Sequence, residues 1–218
     1  MFQTTLWSRI EEAGRGDPGA LSAVVERYRQ PLVQFVRMQG LSEADAEDLV
    51  QEVFLRLFSR DVLARADRAR GRFRSYLLGV VRNVIREDAE RRSARCRGGG
   101  ATFVRLSQVG EVGLEASQEE DPAFDQLWSD HILRRALEAL RQENPRRHRT
   151  LEMRFSEKLS YQEIADRLGH TLQVVKNDIH RARRQLVKVI KEEIGNYSSS
   201  DAEYEEELAA FLRFLGER

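Results

Sequence analysis

Apolar residues recur at intervals of three and four along nearly the whole chain, and no run alternates apolar with polar positions long enough to suggest a strand. Leu21, Val24, Val25, Tyr28, Leu32, Phe35 and Val36 form a first helical stripe, which stops at Gly40. Ser42 and Asp45 read as a capping box opening a second helix, whose apolar face is Leu49, Val50, Val53, Phe54, Leu57 and Phe58. After a polar, Arg-rich interval from Ser59 to Gly71, a third stripe follows with Phe73, Tyr76, Leu77, Val80, Val81, Val84 and Ile85. Three such stripes can bury one another, so residues 1–97 read as a helical bundle domain.

Gly98, Gly99 and Gly100 end that pattern, and residues 98–122 are polar, acidic and weakly patterned, the composition of a flexible linker. Helical spacing returns with Phe124, Leu127, Trp128, Leu133, Leu137 and Leu140, opening a second domain over residues 123–194. Within it, Ser160 and Glu163 form another capping box, Gly169 stands where a sharp turn needs positive φ, and Thr171 can cap the following helix. Two helices joined by a short turn containing Gly, the second one basic, are the helix-turn-helix pattern. Packing Ile164, Ala165 and Leu168 against Val175 and Ile179 leaves Gln173, Lys176, Asn177, His180, Arg181 and Arg184 on the outer side. Residues 195–218 form an acidic extension with a last amphipathic stripe, Tyr204, Leu208, Phe211, Leu212 and Leu215. The expected fold is all-α: two small helical domains, a flexible acidic linker and a C-terminal amphipathic helix.

Charge sharpens this division. The 218 residues carry 36 Lys+Arg and 36 Asp+Glu, but the neutrality is not local. Residues 1–59 have a net charge of −3, 60–106 of +8, 107–130 of −7, 131–191 of +8 and 192–218 of −6. Two basic blocks of equal excess, separated by an acidic one, suggest two polyanion-binding modules. Of the basic residues 32 are Arg, whose forked guanidinium suits phosphate and base edges.

Several classes of chemistry are not indicated. Cys96 is the lone cysteine, and His131, His148, His170 and His180 are scattered without metal-ligand spacing. The three consecutive glycines lack the Lys-Ser/Thr of a phosphate loop. Neither a catalytic site, nor a cofactor, nor a small-molecule substrate is expected. No stretch reaches the roughly 18 apolar residues of a membrane span and the N-terminus does not read as a signal sequence, which predicts a cytoplasmic protein without membrane insertion.

A recognition helix must present donors near its N-terminus to a major groove and cations along its flanks to phosphates. Gln173 and Asn177 suit adenine edges, while Lys176, Arg181, Arg183 and Arg184 suit guanine or the backbone. Asp178 is discordant there; it either accepts from cytosine or pairs with a neighbouring cation. In the first domain, Arg72, Arg82, Asn83, Arg86, Arg91, Arg92, Arg95 and Arg97 are expected opposite the apolar stripe as a cationic track. Phe73 and Tyr76 beside it either stack unpaired bases or belong to the core.

Three motifs in order, DAEDLVQEVFLRLF at 45–58, RFRSYLLGVVRN at 72–83 and LSYQEIADRLGHTLQVVKNDIHRARRQL at 159–186, resemble the bacterial RNA polymerase sigma factors of the extracytoplasmic-function (ECF) type, in the sigma-70 family. The resemblance covers roughly residues 20–95 and 130–190 and implies a region 2 bundle followed by a region 4 helix-turn-helix. It implies that Asp48, Gln51 and Glu52 contact core RNA polymerase. The stretch containing Arg72, Arg82, Asn83, Arg86, Arg91 and Arg92 would melt and read the minus 10 element. Thr171, Gln173, Lys176, Asn177, His180, Arg181 and Arg184 would read the minus 35 duplex. Where family members carry an Asp and then an Arg after the Arg-Asn pair, this chain has Glu87 and Glu90. Promoter DNA and core polymerase are the implied partners, with room for an anti-sigma factor. The rival reading is a helix-turn-helix regulator that binds an operator and never joins the polymerase. The C-terminal helix either restrains one of the basic domains or caps the second.

Overall fold

The computed structural model describes residues 17–58, 73–96, 121–198 and 201–216. Among them are eight helices and no strand: α1 Pro18–Met38, α2 Glu43–Leu57, α3 Phe73–Cys96, α4 Pro122–Glu143, α5 Pro145–Phe155, α6 Tyr161–Leu168, α7 Leu172–Tyr197 and α8 Asp201–Gly216. Arg72, Arg97, the Arg95 side chain and most of the acidic segment 98–122 lie outside the described residues. The contacts divide the chain into two compact units. The first gathers α1 to α3 and α4 as far as Trp128; the second holds the rest of α4, α5 to α7, and α8 from Tyr204.

In the first unit α1 starts at Asp17, whose carboxylate accepts from the Ala20 N–H at 2.7 Å, with Pro18 in the first turn where no N–H is needed. The chain leaves α1 through Gly40 at φ 87°, the left-handed region that favours glycine. At α2 only half of the expected capping box forms. Ser42 Oγ accepts from the Asp45 N–H at 3.1 Å, but the Asp45 carboxylate takes the Ser42 hydroxyl at 2.8 Å instead of the cap N–H. Asp is one methylene shorter than the Glu that usually reaches back. Val24, Tyr28, Leu32 and Val36 of α1, Val50, Val53 and Leu57 of α2, and Phe73, Leu77, Val81 and Val84 of α3 are buried.

The start of α3 is buried on every side from Phe73 to Val81, including Arg74 and Ser75, and α4 contributes to that cover. Phe124 meets Phe35 edge-on at 5.6 Å, Arg74 lies 4.4 Å over the Trp128 ring, and its Nε is 2.9 Å from Asp125 Oδ1. A buried guanidinium is tolerable only with such a partner. Phe73 packs edge-on against Tyr28 at 5.7 Å, and both Phe73 and Tyr76 are buried, so of the two readings of these aromatics the core one holds.

The second unit is built on two apolar clusters. Met153, Ile164, Ala165, Val175 and Ile179 fill the angle of α5, α6 and α7, with Leu159, Tyr161 and Leu168 at their edge. Leu140, Leu151 and Ala182 join α4 and α5 to the next turns of α7, flanked by Leu137 and Leu186. In α8, Phe211 and Glu207 are buried and the Tyr204 ring lies against Gly195 of α7, while Leu212 is 57% exposed. The inward face is thus rotated away from Leu212 relative to the expected stripe. Among the described residues no helix is long and apolar enough to cross a membrane, and no group of His, Cys, Asp or Glu could hold a metal ion.

Candidate functional site

The two helices of the helix-turn-helix are set by local chemistry. Ser160 Oγ accepts from the Glu163 N–H at 3.2 Å and Glu163 Oε2 accepts from the Ser160 N–H at 2.7 Å, a complete capping box. The Ser160 hydroxyl first, then its backbone N–H, holds the Glu163 carboxyl below its ordinary value. The turn closes at Gly169, φ 64°, and Thr171 Oγ1 caps α7 through the Val174 N–H at 3.3 Å. The minus 35 candidate Thr171 therefore also starts the recognition helix.

Gln173, Lys176, Asn177, His180, Arg181 and Arg184 are all exposed on α7, as their spacing predicts. Gln173 donates to Asn177 Oδ1 at 3.1 Å, so the two amides stand as an oriented pair. Among the described residues, Lys176, Arg181 and Arg184 make no ion pair. Arg181 and Arg184 also line an open groove of about 560 Å³ with Arg147, Lys188, Glu143 and Glu192. Arg183 stacks on the exposed Phe155 ring at 4.9 Å, an aromatic neighbour that sequence spacing did not disclose.

Asp178 does not share the exposed face of α7 with those residues. It is buried beneath α5, where Arg146 Nη2 donates to its Oδ1 at 3.0 Å and Arg147 Nε lies 3.9 Å away. Of the alternatives for Asp178, pairing with a neighbouring cation holds, and the cation comes from α5 instead of the adjacent Arg181. The carboxylate ties the helix before the motif to the recognition helix.

On α2, Asp48 and Gln51 are exposed and share a face with Ala44 and Leu55. Leu55, 68% exposed, is an apolar member of that face that residue type alone did not flag. Glu52 is different. It accepts from Arg56 one turn on and from Arg91 Nη2 of α3 at 3.2 Å, and Arg56 also donates to Glu87 at 2.6 Å. Burial alone would raise the Glu52 carboxyl, but Arg56 and then Arg91 outweigh it and hold it below its ordinary value.

The α3 cations do not form the single track expected opposite the apolar stripe. Arg82, Asn83 and Arg86 do lie toward solvent at the outer side, Arg86 most exposed. Arg91 and Arg92 fall on the angular side of the stripe and turn to α2: Arg92 Nε donates to Asp88 at 2.6 Å and its Nη2 lies 3.2 Å from Asp45. The Ser42 hydroxyl first, then Arg92, holds the Asp45 carboxyl low. These side chains, with Asp48 and Leu49, line an open cleft of about 450 Å³. Polymerase and minus 10 candidates thus meet at one ion network. Arg82 has a partner just ahead of α4, since its Nη2 donates to Asp121 Oδ2 at 2.8 Å.

Comparison with known proteins identifies the family. A family model described as ECF sigma factor matches residues 4–192. The ECF RNA polymerase sigma factor SigE of Mycolicibacterium smegmatis is 29% identical over 192 residues, covering 86% of this chain and 68% of that protein. The ECF RNA polymerase sigma factor BldN of Streptomyces coelicolor is 26% identical over 185 residues, 84% of this chain and 65% of that one. The matches therefore span about two thirds of these relatives' length. A chain in the 1.8 Å structure of an RsbN–BldN complex aligns at 20% identity and a TM-score of 0.32, over 83% of this chain and 98% of that one.

Proposed function

The chain belongs to the ECF sigma factor family, and we propose that it binds core RNA polymerase, directs it to specific promoters and assists their opening. In this reading α2 meets the polymerase through Asp48 and Gln51, with Glu52 braced by Arg56 and Arg91 behind them. The minus 10 strand is taken by Arg82, Asn83, Arg86, Arg91 and Arg92 of α3, with Arg72 preceding it, and the minus 35 duplex by α7. The protein supplies recognition and no catalysis, and it works in the cytoplasm. An anti-sigma factor, where one exists, would cover these same surfaces.

One observation carries the reading. The α7 face behind the left-handed Gly169 turn is exposed, amide-bearing and cationic, and the one carboxylate on that segment that could oppose phosphate, Asp178, is withdrawn into the core. The operator-binding rival accounts for that face and would make the first bundle a sensing or dimerisation module, but family membership weighs against it.

The test adds the purified full-length chain to sigma-free core polymerase and maps transcripts from fragmented genomic DNA. Initiation at a defined set of start sites is expected. Asp48→Ala with Gln51→Ala should weaken core binding at least about tenfold, as interface anchors do, and spare duplex binding. Asn177→Ala with Arg184→Ala should do the reverse. Duplex binding without core-dependent initiation would establish the operator-binding rival instead.

A further inference from the structure

Asp121 stands at the last residue before α4 and uses its two oxygens on different helices. Oδ1 accepts from the Ala123 N–H at 3.0 Å and more weakly from Phe124 at 3.4 Å, which caps α4. Oδ2 accepts from Arg82 Nη2 of α3 at 2.8 Å. We propose that this contact is an autoinhibitory clasp: Asp121 holds, as a phosphate mimic, the guanidinium that the minus 10 strand must take. The proposal rests on the assignment of Arg82 to nucleic acid made above.

Three features favour a clasp over a structural tie. First, α4 does not depend on the Arg82 pair for its position. Phe124 and Trp128 are buried, and Arg74 secures the same turn through Asp125 and the Trp128 ring. Releasing Asp121 from Arg82 therefore leaves the helix docked. Second, the pair is accessible: the Arg82 and Asp121 side chains keep 34% and 21% of their exposure, so an incoming phosphate can displace the carboxylate without opening the core. Third, a carboxylate and a phosphate oxygen accept from guanidinium in the same way, so the exchange needs no change in Arg82 geometry. Strand binding at Arg82 is then a swap of one anion for another, and the pair opposes binding until the strand arrives.

The decisive variant is Asp121→Asn, because Asn caps a helix as well as Asp does but offers Arg82 no charge. Full-length chain is titrated with a fluorescein-labelled oligothymidylate of about 20 nucleotides, read by anisotropy across a salt series. Asp121→Asn should bind about fivefold tighter at low salt, the scale of a partly exposed ion pair. Its dependence of log affinity on log salt should steepen by about 0.7, since Arg82 would then release a counterion that Asp121 now replaces. Asp121→Ser, also a good cap, should behave the same way, and adding Arg82→Ala should abolish the gain.

Equal affinity and slope for wild type and both Asp121 variants, with unchanged thermal melts, would overturn the clasp. So would a gain that persists without Arg82. If Arg82→Ala weakens oligothymidylate binding while the Asp121 variants gain nothing, the clasp alone fails. If Arg82→Ala changes neither strand binding nor promoter opening, the assignment of Arg82 to nucleic acid fails and the clasp with it.

Discussion

Lowering the pH from about 7 to about 5 should cost the second unit about 2 kcal/mol through the buried imidazole of His131. The ring sits on α4, 6% exposed, with its Nε2 enclosed and without a hydrogen-bond partner. Burial first, then the neighbouring charges of Arg134 and Arg135, push its pKa down from 6.5 to about 4. The sign follows from proton counting. Above 6.5 the ring is neutral in both folded and unfolded chains and contributes no pH dependence; between 6.5 and about 4 the unfolded chain binds a proton that the folded one refuses. Stability is therefore full above the unfolded value and declines as the pH falls, to a ceiling of about 3 kcal/mol at 1.36 kcal/mol per pH unit. The assay is urea denaturation followed by circular dichroism, wild type beside His131→Leu at each pH. Carboxylate titrations common to both proteins cancel in the difference. Wild type should lose about 2 kcal/mol more than the variant over that range, and the His131 ring proton should titrate near 4 by NMR. Parallel stability curves, or a ring that titrates near 6.5, would refute the reasoning.

Two further outcomes test the scaffold of the second unit. Replacing both Arg146 and Arg147 by Ala should destabilise the unit by about 3 kcal/mol or more, because Asp178 would remain buried without a cation. Asp178→Ala should cost less, since Arg146 is half exposed and can return to water; chemical denaturation of the two variants gives the order directly. Gly169→Ala should cost about 1 kcal/mol, lowering the melting temperature by a few degrees, from backbone strain at φ 64° alone, because nothing lies within 4 Å of the added methyl. A loss several times larger would indicate a clash that the structure does not contain.

What could be read from the sequence is what is local in it. The Ser160 and Glu163 box, the Gly169 turn, the Thr171 cap and the exposed α7 face all follow from residues within a turn or two of one another. Stripe spacing likewise located the three helices of the first unit and the all-α class. Partnerships between distant residues could not be read. Asp178 finds Arg146 across 32 residues, and Arg82 finds Asp121, as Arg91 finds Glu52, across 39. For Asp178 the sequence carried the symptom, a carboxylate on a phosphate-facing helix, without the cure. In α3 even the symptom was hidden, because Arg91 and Arg92 look like members of one cationic track until α2 supplies the acids. Half of the α2 box failed for a reason of length, Asp45 being a methylene too short, and Glu207 takes an inward place on α8 that apolar periodicity assigned to leucines.

The formal neutrality of the chain is thus assembled differently in the two units. On α7, Lys176, Arg181 and Arg184 are exposed and, among the described residues, without ion pairs, so a duplex meeting them gains charge contacts that displace only counterions. On α3, Arg82, Arg91 and Arg92 already hold Asp121, Glu52, Asp88 and Asp45, so a strand meeting them must replace protein carboxylates one by one. The first kind of contact is strong at low salt and falls steeply as salt rises. The second is nearly isoelectric, weaker and flatter in salt, and it changes when a carboxylate is drawn elsewhere. Glu52 and Asp48 border the same cleft as Arg91 and Arg92, so a basic polymerase surface that engaged Glu52 would loosen its hold on Arg91. On the proposed assignments, equal basic excesses in the two halves of the sequence should therefore give unequal affinities. On the same assignments, the duplex-binding face is ready in the free chain, and the strand-binding face depends on what its acids are bound to.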